Sequence, residues 1–148
     1  MTVFRAASRA AANPVATVRV AAWTRSSVRA LGTALARDGI TAMDAIPAAP
    51  EVAADHRATV VGVLGLMGAT CLVRSAVLQR WDADHDRARP LIIGVSKENG
   101  EFKAHAWLDG ERSGAGFVEL HRRPPTGRRA PPDRPAPADR SGRPANDR

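Results

Sequence analysis

The sequence predicts an α+β fold in which helices come first and a small antiparallel sheet follows. Three observations predict it. After Asn13, apolar residues recur at the three- and four-residue spacing of a helix. Two short runs rich in β-branched and aromatic residues, 91–96 and 102–108, flank an Asn-Gly pair typical of a hairpin turn. The composition then changes abruptly to proline and arginine, so we expect the sheet to end near residue 121.

The first helix is predicted from Pro14 to about Arg37. Asn13 is a good N-cap, proline is favoured in a first helical turn, and Asp38-Gly39 is a typical helix end. Six residues at helical spacing form one mostly apolar face of this helix: Val20, Trp23, Ser27, Ala30, Leu31 and Ala34.

Two more helices are predicted before the sheet. One extends from Glu51 to about Met67 and ends near Gly68. The next covers residues 70–81, with Thr70 as its N-cap, so that Cys71 lies in the first turn.

The sheet is predicted to have three short strands. The hydrophilic stretch 82–89 is a loop, and the proline that follows it prevents the helix from continuing. Residues 91–96 form the first strand, 97–100 the turn and 102–108 the second strand, and a third strand covers residues 117–120.

The net charge of +7 is concentrated at one end of the chain. Residues 121–148 contain eight Arg and three Asp, which leaves +2 for the first 120 residues. The basic charge therefore belongs to a tail, and no specific nucleic-acid binding is expected. We divide the chain into an N-terminal helical region (1–69), a core (70–121) and a disordered Arg/Pro-rich tail (122–148).

The sequence favours a soluble, cytoplasmic protein. The single cysteine excludes an internal disulfide and a cysteine-based zinc cluster. The longest apolar run, residues 60–67, is far shorter than the roughly 20 residues that span a bilayer. The N-terminus is rich in Arg and Ala like a transit peptide, but it lacks the apolar region of a signal peptide, and an ordinary surface helix is the preferred interpretation.

One pair of residues is a candidate for chemistry. A thiol becomes a nucleophile when a helix N-terminus or a neighbouring imidazole favours its thiolate form. Cys71 is predicted at the head of a helix, and His105 on a strand that can pack against it. The alternative is structural, because a lone cysteine is most often a small buried hydrophobe and a histidine in an apolar strand a core residue.

No metal site or other cofactor is expected. The remaining histidines, His56, His85 and His121, have no ligand spacing.

The segments CLVRSAVLQRW, LIIGVSKENGEFKAHAWLDGE and GFVEL resemble the C-terminal domain of lasso-peptide leader peptidases, the microcin-processing branch of the transglutaminase-like superfamily. The resemblance covers residues 71–120, a third of the chain, and its two blocks occur in the family's order and spacing. The matching positions are Cys71, Leu72, Arg74, Ser75, Leu78, Gly94, Val95, Phe102, Ala104, His105, Ala106, Trp107 and Gly110.

The resemblance implies a papain/transglutaminase-like core, in which Cys71 attacks a scissile carbonyl, His105 is the base and an acid orients the imidazole. The family's acid has no clear counterpart here. Strand alternation places Asp109 on the same face as His105, so Asp109 is the preferred acid, with Glu111 and Glu119 as alternatives.

Three other side chains near this pair carry less weight. Trp107 is expected to point to the opposite face of the strand from His105 and to be a core residue. Arg74 and Gln79, on the cysteine helix, could support the site, but a solvated surface position is the default interpretation for both.

The leading hypothesis is a cysteine peptidase that removes the leader from a ribosomally made, lasso-type precursor peptide. By resemblance it acts beside a separate leader-binding protein and an ATP-dependent cyclase. A second hypothesis is a transglutaminase-like amidase or acyltransferase. A third is a non-catalytic binding module whose basic tail attracts acidic partners.

Overall fold

The structure, a computed structural model, describes residues 13–112, 116–125 and 127. Helices precede a three-stranded antiparallel sheet, which confirms the predicted α+β class. The helices are α1 (Pro14–Asp38), α2 (Arg57–Leu66) and α3 (Cys71–Asp84), and the strands are β1 (Leu91–Glu98), β2 (Glu101–Leu108) and β3 (Val118–Arg123). Two 3₁₀ segments, Gly39–Ala45 and Ala54–His56, lie between α1 and α2.

Helix α1 has the ends that the sequence predicts. The side chain of Asn13 accepts a hydrogen bond from the backbone N–H of Ala16 at 3.1 Å, and Gly39 ends the helix with a φ of 66°. The predicted apolar face is buried except for Ala30, which is exposed.

Helix α2 begins later than predicted. Residues 51–53 lie outside it, and a 3₁₀ turn leads into α2 at Arg57. The backbone before this turn is used in tertiary contacts: the carbonyl of Val52 bonds the ring of His85 at 3.0 Å, and the N–H of Ala49 donates to Asp84 at 2.8 Å.

Helix α3 begins at Cys71 as predicted, with the Thr70 hydroxyl accepting from the N–H of Val73. It continues to Asp84, so the prediction of a loop from residue 82 was wrong at that end. Acidic residues are normally unfavourable near a helix C-terminus. Here the carboxylate of Asp82 accepts hydrogen bonds from two arginines, which removes that cost.

The β1–β2 hairpin turns at Asn99 and Gly100, whose φ angles of 51° and 86° fit a two-residue type I′ turn. Strand order is β2-β1-β3, so β3 pairs with the other side of β1 and the connection after β2 crosses one face of the sheet. Strand β3 starts one residue later than predicted and extends to Arg123. Apart from residues 122–125 and 127, the predicted tail lies outside the described residues, as do residues 1–12.

One hydrophobic core joins the predicted helical region and the predicted sheet region. It includes side chains from α1, α2, α3, β1 and β2. The buried members with the least exposure are Val20, Leu31, Val60, Leu64, Ala76, Val77, Trp81, Leu91 and Leu108. Within the described ranges, no helix has the length and apolar character needed to cross a bilayer.

Candidate active site

Cys71 is the first residue of α3 and carries a free, half-buried thiol. The helix therefore presents its N-terminal end, the positive end of its dipole, at the sulfur. Thr70 satisfies two N–H groups of this turn, with its hydroxyl bonding Val73 and its carbonyl bonding Arg74. The N–H groups of Cys71 and Leu72 have no helical acceptor at this position and point out of the helix end.

Helix α3 lies beside strand β2 and points in the same direction. The hydroxyl of Ser75 donates to the carbonyl of Ala106 at 3.0 Å. One turn later, the amide of Gln79 donates to the carbonyls of Arg89 and Arg123 at 3.1 and 3.2 Å, next to the end of the sheet where β2 finishes. Cys71 lies one turn before Ser75, or about 6 Å along the helix. At about 3.3 Å per strand residue, Cys71 is therefore expected about two residues before Ala106 along β2, near Ala104 and His105.

The imidazole of His105 projects from the sheet face opposite the hydrophobic core. Leu108 and Ala106 alternate with His105 and Trp107 along β2, and Leu108 belongs to the core. The rings of His105 and Trp107 stack with centroids 5.8 Å apart, and Phe117 approaches His105 at 5.2 Å. The expectation that Trp107 points away from His105 was therefore wrong, because residues two apart in a strand share a face. Trp107 is nonetheless buried, as expected.

The outer edge of β2 separates the thiol from the imidazole. The N–H of Asp109 bonds Pro90 of the neighbouring segment, so alternation turns the carbonyl of Ala106 outward, where Ser75 reaches it. Helix α3 thus touches the edge strand itself. In the described part of the chain no hydrogen bond joins Cys71 to His105, and neither nitrogen of the His105 ring has a hydrogen-bond partner.

Two of the three candidate acids, Asp109 and Glu119, are bound to one arginine. Arg122 donates to Asp109 at 2.8 Å and to Glu119 at 2.9 Å through both Nε and an amino group. The hydrogen bond from Arg122 holds the pKa of Glu119 below its ordinary value. Hydrogen bonds to the two carboxylates raise the pKa of Arg122, and the bond to Glu119 has the larger effect. Asp109 is four residues from His105 along the chain, which corresponds to about 13 Å between Cα atoms in a strand.

The third candidate acid, Glu111, is also engaged. One oxygen accepts from the N–H of Leu108 at 3.4 Å, and the other lies 3.8 Å from the guanidinium of Arg89. Among the described residues, no carboxylate forms a hydrogen bond with His105.

Two residues position this region, and sequence reasoning assigned neither of them a definite role. Ser75 anchors α3 to the edge of β2, and its signal was available, since it lies four residues after Cys71 and shares its helix face. For Gln79 a solvated position was the default interpretation and support of the site the alternative; it is 1% exposed, and its amide bridges three backbone carbonyls. Only the packing of α3 on the ends of β1 and β3 reveals that role.

No group of three or more His, Cys, Asp or Glu residues within the described ranges has an arrangement that could hold a metal ion. His85, predicted in a loop, lies directly after α3, and its two ring nitrogens contact the carbonyls of Trp81 and Val52. Its contacts are therefore structural.

Comparison with known proteins gives one match. A family model described as the transglutaminase-like superfamily matches residues 5–123, which include α1, α2, α3 and all three strands. Searches of curated proteins and of solved structures gave no significant match. Because the family model covers most of the chain, and the described fold carries a cysteine at the head of a helix beside a histidine-bearing strand, this chain belongs to the transglutaminase-like superfamily.

Proposed function

We propose that this protein is a cysteine peptidase that removes the leader from a ribosomally made, lasso-type precursor peptide, with Cys71 as nucleophile and His105 as base. The observation that carries the proposal is the position of Cys71. A half-buried thiol begins α3, which contacts the histidine-bearing strand β2 through Ser75, and the ring nitrogens of His105 bond nothing in the described part of the chain. The resemblance to leader peptidases supports the choice of substrate.

In the proposed reaction, His105 removes the thiol proton and the sulfur of Cys71 attacks the scissile carbonyl. The negative charge on the tetrahedral oxygen is stabilised by the outward N–H groups at the start of α3. His105 then gives its proton to the leaving amine as the C–N bond breaks, which leaves a thioester on Cys71. Water, deprotonated by His105, attacks the thioester and releases the acid. Attack by an amine at this last step would make the protein an acyltransferase.

The direct test is cleavage of a co-expressed lasso-type precursor by the full chain, followed by mass spectrometry. Cys71→Ala and His105→Ala should each abolish cleavage without loss of the fold. His121→Ala is the matched control, because His121 is an exposed histidine on the same sheet. Full cleavage by Cys71→Ala would remove the proposed function, and loss of cleavage in His121→Ala would make the His105 result uninformative about the site.

A non-catalytic module is the second candidate, favoured by the lack of a hydrogen bond between Cys71 and His105 in the described residues. The two functions differ in the reactivity of the thiol. An active-site Cys71 should react with iodoacetamide much faster than a model thiol at neutral pH, and His105→Ala should slow it. A Cys71 that reacts slowly and is insensitive to His105→Ala would support the module.

A further inference from the structure

The surroundings of the His105 ring are aromatic. Trp107 stacks on it with an angle of 16° between the ring planes, and Phe117 meets it tilted at 41°. Trp107 and Phe117 also contact each other, with centroids 6.0 Å apart, so the three rings form a closed triangle. These separations and tilts fall within the range that aromatic pairs favour.

The sheet backbone beneath these three rings has no space for a side chain at Gly94. His105 is opposite Gly94 on β1, and the indole of Trp107 lies over that glycine. A Cβ on Gly94 would lie 2.7 Å from Cη2 of Trp107 and 2.6 Å from the carbonyl oxygen of Val118. Trp107 therefore rests directly on the sheet backbone. Phe117, which immediately precedes β3, is fixed to the sheet through Val118.

The carboxylates of Glu119 and Asp109 pair with Arg122 and form no hydrogen bond with His105 in the described structure. Gly94 lies between His105 on β2 and Glu119 on β3, so Glu119 is two strand spacings, or about 10 Å, from the histidine backbone. Both Glu119 and Asp109 accept hydrogen bonds from Arg122 and form ion pairs with it. The contacts that orient the imidazole in the described structure are therefore ring contacts.

We propose that Phe117 is a positioning residue for His105, and that together with Trp107 it holds the imidazole by ring packing in the role that a carboxylate would otherwise fill. This inference rests on the proposed function, since it concerns the base of that reaction. Packing of this kind stabilises a neutral ring by stacking and a charged ring through the π-face. It therefore fixes the ring orientation in both protonation states and leaves the ring nitrogens available to the thiol and the substrate.

The test measures the rate of alkylation of Cys71 by iodoacetamide between pH 5 and 9, in the full chain. Phe117→Leu should slow the reaction about three- to tenfold at neutral pH and flatten the part of the pH profile that depends on His105. Phe117→Tyr retains the ring and should restore the wild-type profile. Phe102→Leu is the matched control, because Phe102 is an exposed phenylalanine on the opposite face of the same sheet.

A second measurement does not depend on reactivity. Ring currents from Trp107 and Phe117 should displace the His105 ring-proton resonances in the NMR spectrum, and Phe117→Leu should move them toward free-histidine values. If Phe117→Leu leaves both the resonances and the alkylation profile at wild type, while His105→Ala slows alkylation, the positioning role is overturned and the proposed function stands. If His105→Ala changes nothing, the proposed function fails.

A carboxylate mechanism gives a different pattern. Asp109→Asn should leave alkylation within about twofold of wild type if ring packing orients His105. A large loss in Asp109→Asn, with Phe117→Leu unaffected, would overturn the positioning role and assign the orienting group to Asp109.

Discussion

The two ends of helix α3 differ in how their polar side chains are satisfied. At the C-terminal end, Asp82 is 1% exposed and accepts hydrogen bonds from two arginines, and His85 has a carbonyl oxygen at each ring nitrogen. At the N-terminal end, the described structure gives neither Cys71 nor the His105 ring a hydrogen-bond partner. Polar groups that serve only the fold are normally paired. This contrast supports the proposal that the chemistry takes place at the N-terminal end of α3.

The largest loss of stability is expected from a substitution at the C-terminal end of α3. In Asp82→Asn, an amide group would face the guanidinium groups of Arg57 and Arg89, which are themselves only partly exposed. Breaking a buried ion pair from one side costs about 3 kcal/mol or more, so the free energy of unfolding should fall by about that amount, as measured by urea denaturation.

The matched control for this variant is Asp109→Asn. Asp109 also pairs with an arginine, but its side chain is 48% exposed, and exposed pairs contribute about 0.2–1 kcal/mol. Equal losses in the two variants would mean that Asp82 is not the structural anchor of this end.

The two histidines sharpen the comparison. His85→Ala removes contacts to the carbonyls of Trp81 and Val52 and a stacking contact with the Trp81 ring at 4.1 Å. We expect it to lower the free energy of unfolding by about 2–3 kcal/mol and to leave the alkylation rate of Cys71 nearly unchanged. His105→Ala should lower the free energy of unfolding by about 1 kcal/mol and should slow the alkylation of Cys71. If His85→Ala slowed alkylation and His105→Ala caused the larger loss of stability, the division of α3 into a structural C-terminal end and a reactive N-terminal end would be contradicted.

Local signals in the sequence predicted the elements whose causes are local. Asn13 and Thr70 cap the helices that follow them, and the Asn-Gly pair turns the hairpin. The C-terminal end of α3 was misplaced because its cause is distant in sequence. Asp82 is tolerated there because it pairs with Arg89 and with Arg57, which is 25 residues away.

The candidate site follows the same rule. The position of Cys71 at the head of a helix was predictable from Thr70 and the residues after it. The partners of Asp109 were not, because the crossing connection after β2 and the start of β3 bring Arg122 to that carboxylate. The contact of Phe117 with His105 depends on the same connection, since strand periodicity gives no reason to place its ring on His105.

A smaller effect is expected where α3 meets β2. Ser75→Ala removes the hydrogen bond to Ala106 and leaves a buried carbonyl without that donor. The free energy of unfolding should fall by about 1–2 kcal/mol. Because Ser75 lies between the two ends of α3, the alkylation rate of Cys71 should also fall a few-fold. Loss of stability without any change in alkylation would show that the contact with β2 does not set the position of the thiol.

The smallest effect concerns Arg122 and its two carboxylates. Because the folded protein holds the pKa of Glu119 below its ordinary value of 4.5, this ion pair stabilises the fold fully above about pH 4.5. The stabilisation is lost as the pH falls through the lower pKa of the folded state. Arg122→Gln should therefore lower the melting temperature slightly at pH 7 in low salt, and the difference from wild type should shrink below pH 4.5 and in high salt. A difference that persists at pH 3 would mean that Arg122 stabilises the sheet through packing of its side chain over Ile92, its neighbour on β1. The charges around the site would then be less important than its apolar contacts.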